Sequence, residues 1–460
     1  MCAARPAQER PVDPVEEPAV PSFLPPRRGA FNPPDLLGRL RAGDPITRVT
    51  LSDGGQAWLV TRYDDARFVL CDPRFSADAT NPGLPSLSPG RVFPWTRRTM
   101  SRMDDPRHAD LRRVLAAEFT PARVAALRPT IERIVTSEID DMLAAAAKPV
   151  DFHAAFATQV PGRLINELLG VPANDHERLR DLRRTLTSRT TTVDQLMAAD
   201  DTLYEYCADL VSRRMADSPD DSADEADDSA DDFVGRLVAR GRRTGRHGPS
   251  GRNSQPDNSQ RDDSPPRNSQ TCNSQIRNSQ VLSHQELSLM VKLLMVAGQE
   301  PTANMISLAI LTMLLTPGWF GTIQTNPDVV PDAVEELLRF HTLIHDGLPR
   351  VAKEDVVVGG VGISAGDGVI VSLASSNRDG SVFERPNELD MNRHRAGRHL
   401  TFGAGVHRCV ARGLARAELR IALRTLAVRI PTLQLAVPFA DISFMEDMHI
   451  YGVRELPVTW

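Results

Sequence analysis

Cysteine is scarce in this chain: five in 460 residues, Cys2, Cys71, Cys207, Cys272 and Cys409, scattered with no paired spacing. That argues against a disulfide framework and against a CxxC metal site, and it fits a reducing, cytoplasmic setting. An excess of positive charge is also missing. The net charge of −6 gives no overall basic field, so no nucleic-acid partner is expected. The first residues, MCAARPAQERPVDPVEEPAVP, are rich in Pro and Glu and lack the apolar core of a signal peptide or anchor. No uncharged run approaches the roughly 20 residues that a bilayer requires. The expectation is a soluble monomer with no membrane association. The apolar share of 41% and charged share of 25% are those of an ordinary folded protein.

Along the chain, residues 1–34 read as a flexible, Pro-rich arm, and residues 35–460 as one domain. Ile46 to Leu51 and Ala57 to Val60, joined through Asp53-Gly54-Gly55, read as a β-hairpin with a Gly-rich turn. Helical patterns dominate from about Tyr63 to Val238, as in Asp110 to Phe119 and Thr130 to Ala147. Two segments break the globular pattern. Residues 217–232 (DSPDDSADEADDSADD) form an acidic low-complexity run, and residues 248–280 carry Asn-Ser-Gln at 253, 258, 268, 273 and 278. Neither has the apolar content to offset the entropy of ordering, so both read as surface loops. Ser283-His284-Gln285-Glu286 has the spacing of a capping box, and apolar residues then continue to Leu315, with Pro317 ending the segment. A single helix of about 32 residues would span roughly 48 Å and would be largely buried. Short β-like pieces follow at Val356 to Val358 and Gly368 to Leu373. A last helix is expected over about Val410 to Val428, and a strand-like end over Leu435 to Trp460.

The chemistry is concentrated in Phe402-Gly403-Ala404-Gly405-Val406-His407-Arg408-Cys409. A thiolate that ligates iron needs water kept away, hydrogen-bond donors near the sulfur and a positive field. Gly403 and Gly405 let the backbone fold tightly, the following helix directs its positive end at Cys409, and Phe402 covers the apolar side. A single cysteine near a helix start is, on its own, more often a buried structural thiol. Its surroundings reverse that reading.

Residues 402–411 resemble the cytochrome P450 haem-binding signature, Phe-Gly-x-Gly-x-His-x-Cys-x-Gly, at every fixed position but the last, where Ala411 stands. Upstream, Glu336-Leu337-Leu338-Arg339 resembles the family's ExxR helix, which alone would be taken for a surface ion pair. The resemblance implies that Glu336 and Arg339 are buried with Arg393 as a structural lock. It also implies a mainly α fold with a smaller β region, and haem b between a long distal helix and the Cys409 loop. His108 and Arg112, at i,i+4 on one helix face, would grip the haem propionates together with Arg350 and His407. Ala297 and Phe402 would line the cofactor. Arg113, Arg408, Arg412 and Arg416 resemble a docking patch for an acidic ferredoxin served by a ferredoxin reductase, with a generic basic surface as the competing reading.

One departure stands out. The family's oxygen-binding motif, Ala-Gly-x-(Glu or Asp)-Thr-Thr, reads here Ala297-Gly298-Gln299-Glu300-Pro301-Thr302. By resemblance, Gly298 leaves room for dioxygen and Glu300 serves proton delivery, but the first threonine is a proline. Pro301 removes an amide donor and clashes with the Ala297 carbonyl, so a kink is expected there. Thr302, a water or a substrate group would then supply protons. By position, Leu84 to Trp95, Thr185 to Thr192, Thr342 to Asp346 and Met445 to Ile450 border the substrate, with Phe93, Trp95, His341 and His345 in the lining. The implied activity is a monooxygenase acting on a small-molecule or peptide natural product in secondary metabolism or antibiotic biosynthesis. Oxidative aryl or phenol coupling and a non-enzymatic haem-thiolate sensor remain as alternatives.

Overall fold

The computed structural model describes residues 20–23, 30–87, 98–146, 148–188, 190–217, 233–243 and 282–460. The two low-complexity segments, apart from Asp217 at a helix end, lie outside the described residues, as do Phe93 and Trp95.

The expected hairpin forms from Ile46–Thr50 and Gln56–Val60, in register from Ile46 opposite Val60 to Thr50 opposite Gln56. Gly54, at φ +84°, supplies the left-handed turn residue. The hairpin is one edge of a five-stranded sheet. Gln56–Val60 pairs in parallel with Gly368–Val371, which pairs antiparallel with Leu348–Ala352, and Phe75–Ser76 closes the other edge. The expected free arm is tied down at two points. Phe23 donates its amide to the Thr50 carbonyl at 2.9 Å, while Phe31 lies edge-on to His341 and stacks on Phe439.

Helices make up most of the remainder. They include Arg107–Ala116, Arg128–Leu143, Gln159–Leu169, His176–Thr187, Val193–Asp217, Val330–His341 and Arg412–Arg429. Boundaries differ from the sequence expectation by a few residues at most. The stretch 110–119 begins at Arg107 and tightens to a 3-10 turn at Ala117–Phe119. The strand-like end reduces to Gln434–Leu435 and Pro457–Thr459, because isolated bridges connect the rest of it to other loops.

The long apolar segment differs in a way that matters. It is two helices, His284–Ala297 and Glu300–Leu315, interrupted at Gly298–Gln299. Pro301 is therefore in the first turn of the second helix, where a missing amide hydrogen costs no intrahelical bond. The kink expected from proline is a full break just upstream of it. The second helix is buried along its length, with Leu308, Ile310 and Leu311 fully enclosed among Arg128–Leu143, Val330–His341 and Arg412–Arg429. Each such side chain contributes about 1.5–3 kcal/mol through removal from water. No single helix among the described residues is long and apolar enough to cross a membrane.

The first of the two helices starts as expected. The Ser283 hydroxyl accepts from the Glu286 amide, and the Glu286 carboxylate accepts the Ser283 amide at 2.8 Å. Arg107 Nε also donates to Glu286, at 2.5 Å, joining this helix start to Arg107–Ala116. Ser283→Ala should lower stability by about 1 kcal/mol, read as an earlier denaturant midpoint with the same product after refolding.

Candidate active site

Cys409 ends a tight loop just ahead of Arg412–Arg429. Its amide donates to the Phe402 carbonyl at 2.8 Å, which closes the loop on itself. Gly405, at φ +67°, admits no side chain: a Cβ there would lie 2.2 Å from the Leu70 carbonyl oxygen. Burial pushes the Cys409 thiol up, opposed by the Ala411 amide, which donates to the sulfur, and by the charges of Arg112, Arg412 and Arg416. Of the requirements read from the sequence, these groups supply the donor at the sulfur and the positive field.

Beneath the loop, Glu336 is fully buried between two arginines. Arg339 donates to it through Nε and Nη2, both at 2.7 Å, and Arg393 Nε donates at 2.9 and 3.0 Å. The remaining donors reach main-chain oxygens: Arg339 those of Asn377, Pro386 and Glu388, and Arg393 those of Glu384, Arg385 and Glu388. The pair that alone would be taken for a surface contact is buried, as the resemblance implies.

The four expected anion-gripping residues come together. The His108 ring lies 4.2 Å from that of His407, Arg112 donates to the Arg408 carbonyl, and Arg350 is buried nearby. Burial, then the charges of Arg350, His108 and Arg112, push His407 down to about 3. Arg350 is itself pushed down to about 10 by burial and by Arg102. Sequence reasoning missed Arg102, which no motif marks and which only the fold brings here. His108 Nε2 is buried without a partner among the described residues. A cluster of five basic side chains with an unpartnered ring nitrogen suits a group carrying carboxylates beside Cys409, as the two haem propionates would be. These residues fit haem.

Across from Cys409 in the family's arrangement is the helix break. Glu300 is nearly buried, and its Oε1 accepts from the Thr187 hydroxyl at 2.8 Å. Burial pushes its carboxyl up to about 6, against that hydrogen bond and the charges of Arg183 and Arg184. Thr302 is buried in the first turn of the second helix. At Gly298 a Cβ would lie 3.1 Å from Ile165 Cδ1 and 2.6 Å from the Leu294 carbonyl oxygen, a packing reason for glycine beside the expected space for dioxygen.

Three of the segments expected to border the substrate, 185–192, 342–346 and 445–450, meet pairwise, whereas residues 88–95 of the fourth lie outside the described residues. Ser188 bridges Met448, and Ile344 bridges Ile450. Two proposed lining residues serve the chain itself instead. His341 Nε2 is 2.8 Å from the Thr312 hydroxyl, and His345 Nε2 is 2.8 Å from the Met448 carbonyl. In the expected docking patch, Arg416 is committed to Glu335 and mostly covered, whereas Arg113 is 61% exposed.

A cysteine loop at a helix start, a basic cluster beside it and an acid at a broken helix are the features of a haem-thiolate enzyme. The cytochrome P450 family model matches residues 43–427. Cytochrome P450-SU2 of Streptomyces griseolus is 41% identical, with 94% of each chain covered. The structure of cytochrome P450 MoxA from Nonomuraea recticatena superposes with a TM-score of 0.77 at 40% identity, covering 95% of this chain and 98% of that one. The mycinamicin VIII C21 methyl hydroxylase MycCI of Micromonospora griseorubida, bound to mycinamicin VIII, gives 0.79 at 31% identity, covering 96% of this chain and all of that one. The chain belongs to the cytochrome P450 family. It is an oxidoreductase of the monooxygenase class, whose cofactor is haem b with thiolate-ligated iron, and the sensor alternative is set aside.

Glu300 sets a pH dependence. Its folded value of about 6 exceeds the ordinary 4.5, so between the two the folded state holds a proton that the unfolded chain releases. Stability therefore falls as pH rises through that window, by about 2 kcal/mol in all. Glu300→Gln should flatten this slope and raise the melting temperature above pH 6. Parallel melting profiles from pH 4.5 to 7 would refute the assignment.

Proposed function

We propose that this chain tailors a natural product by monooxygenation, with Cys409 as the iron ligand and electrons delivered by a separate acidic ferredoxin and its reductase. The observation that carries this reading is the Cys409 thiol, held by the Ala411 amide at the head of Arg412–Arg429 and facing the basic cluster. When bound there, haem supplies the iron at which dioxygen is activated. The protein's residues do the remaining work. The Ala411 amide and the charges of Arg112, Arg412 and Arg416 favour the anionic sulfur against the effect of its burial, and Phe402 would shield it. His108, Arg112, Arg350 and His407, joined by Arg102, would hold the propionates, and Ala297 would line the cofactor. Glu300, poised near 6, exchanges protons with solvent close to neutral pH, and the Thr302 hydroxyl relays them inward beside Gly298.

The substrate is a bulky, partly polar small molecule or peptide bordered by residues 185–192, 342–346 and 445–450. Mycinamicin VIII bound in a structural neighbour supports that size class. For the ferredoxin, the supporting feature is a groove of about 380 Å³ lined by Phe119, Val124, Arg128, Val410, Arg412 and Arg420. Arg408, close enough to Arg412 and Arg416 to feel their charges, extends the charge of the groove. Arginines around an apolar floor suit an acidic protein surface, which they would both attract and orient.

Pro301 favours a second reading of the reaction itself. No hydroxyl stands at 301, so the substrate would contribute a proton-donating group, as in oxidative aryl or phenol coupling. Reduced wild-type protein under carbon monoxide should show the red-shifted band of thiolate ligation, and Cys409→His should lose it. A histidine-type band in the wild type overturns the proposal. With a turned-over substrate, Pro301→Thr should increase hydroxylated side product at unchanged haem content. Identical product profiles would assign Pro301 a purely structural role.

A further inference from the structure

Glu335 directly precedes the buried Glu336, yet it faces a different part of the molecule, because successive helical residues are about 100° apart. Its carboxylate gathers three basic side chains. Arg416 donates to it through Nε at 2.6 Å and Nη2 at 2.7 Å, Arg420 Nη2 lies at 3.4 Å, and His399 Nε2 at 3.2 Å. The Thr401 amide donates to His399 Nδ1 at 3.2 Å, so the proton of the neutral ring sits on Nε2 and points at Glu335. Burial works against the charge on Glu335, but Arg416 and His399 hold its carboxyl down at about 2.

The other side of Arg416 explains why this matters. Its guanidinium carbon lies 4.6 Å from the centre of the Phe402 ring, and the His399 ring lies 5.7 Å from the same ring. Phe402 in turn accepts the Cys409 amide through its carbonyl. Glu335 is thus connected to the cysteine loop by two successive contacts, through a cation placed over the Phe402 ring. The Glu336 lock holds a different region, the main chain at Asn377 and at 384–390, and makes no hydrogen bond to Phe402 or Arg416. An arginine paired in this two-pronged manner keeps its plane fixed. Released, Arg416 would turn into the solvent-filled groove that it lines.

We propose that Glu335 is a positioning residue for the thiolate site: it clamps Arg416 against Phe402 and offsets one positive charge beside Cys409, and so sets the reduction potential of the bound haem. This rests on Cys409 as the iron ligand. Losing the carboxylate leaves an uncompensated cation near the sulfur and uncovers the Phe402 ring. Both changes favour the electron-richer iron, so the potential rises.

The test uses purified holoprotein, with the reduction potential read by spectroelectrochemistry and the carbon monoxide band and haem content read in parallel. Glu335→Gln should shift the potential upward at full haem content. Arg416→Lys keeps the charge but not the two-pronged pair, and should shift it in the same direction by less. Asp140→Asn, which removes an exposed pair with Arg429 on the same helix, should leave it unchanged. Wild-type potential in the Glu335 and Arg416 variants overturns the proposal, and so does an equal shift in Asp140→Asn. If Glu335→Gln fails to incorporate haem, Glu335→Asp and Arg416→Lys decide by the same criterion. Failure of the Cys409 reading would look different, as a wild-type carbon monoxide band without thiolate character.

Discussion

The burial of Glu336 between Arg339 and Arg393 is the constraint on which the cysteine side of the molecule depends. Taking a carboxylate out of water costs several kcal/mol, and attraction to one arginine seldom recovers it. Here two guanidiniums share the anion, and their spare donors go to main-chain oxygens from Asn377 to Glu388. That segment has almost no regular secondary structure, so its carbonyls would otherwise be unsatisfied wherever they are buried. The lock therefore does for an irregular stretch what a sheet ladder does for a strand. Removing one partner from such a group costs about 3–5 kcal/mol, and the loop leading to Cys409 would lose its footing.

The same arithmetic divides the basic residues of the protein into two kinds. Arg339, Arg393 and Arg416 have carboxylates of their own and act as structure. Arg102, Arg350, His108 and His407 crowd one another, so that burial and mutual repulsion hold Arg350 and His407 below their ordinary values. A cluster under that strain gains when an anionic group enters it, which is how a fold can prepare a cofactor site before the cofactor arrives. Binding and folding are then linked through the same charges.

What the sequence made legible follows from how local each feature is. The Cys409 loop, the capping box at Ser283, the hairpin at 46–60 and the helix of Arg412–Arg429 depend on residues a few positions apart, and each was readable. The pairing of Glu336 with Arg393 was readable only through family resemblance, since 57 positions separate them. Arg102 and Glu335 carried no signal. Arg102 belongs to a cluster assembled from separate segments of the chain, and Glu335 looks like any surface acid until His399 and Arg416 meet it. His341 and His345 misled for a related reason. A histidine in a loop near a cavity reads as lining, whereas these two are taken up by Thr312 and by the Met448 carbonyl.

The break at Gly298–Gln299 shows how local and tertiary demands combined. Apolar residues recur from Leu287 to Leu315 on both sides of Gly298 to Thr302, which is why one continuous helix was the natural reading. Three residues counter it. Gly298 packs against Ile165 where no Cβ fits, Gln299 turns its amide to the Thr158 carbonyl at 3.2 Å, and Pro301 has no amide hydrogen to return to Ala297. With the helix already interrupted, proline at 301 costs little and even favours the new start. The residue that departs from the family motif is thus compatible with the backbone around it. A hydroxyl is missing at 301, while Glu300 keeps its contact with Thr187 and Thr302 keeps its place in the first turn. A backbone already interrupted at Gly298–Gln299 accommodates the proline with no intrahelical bond lost.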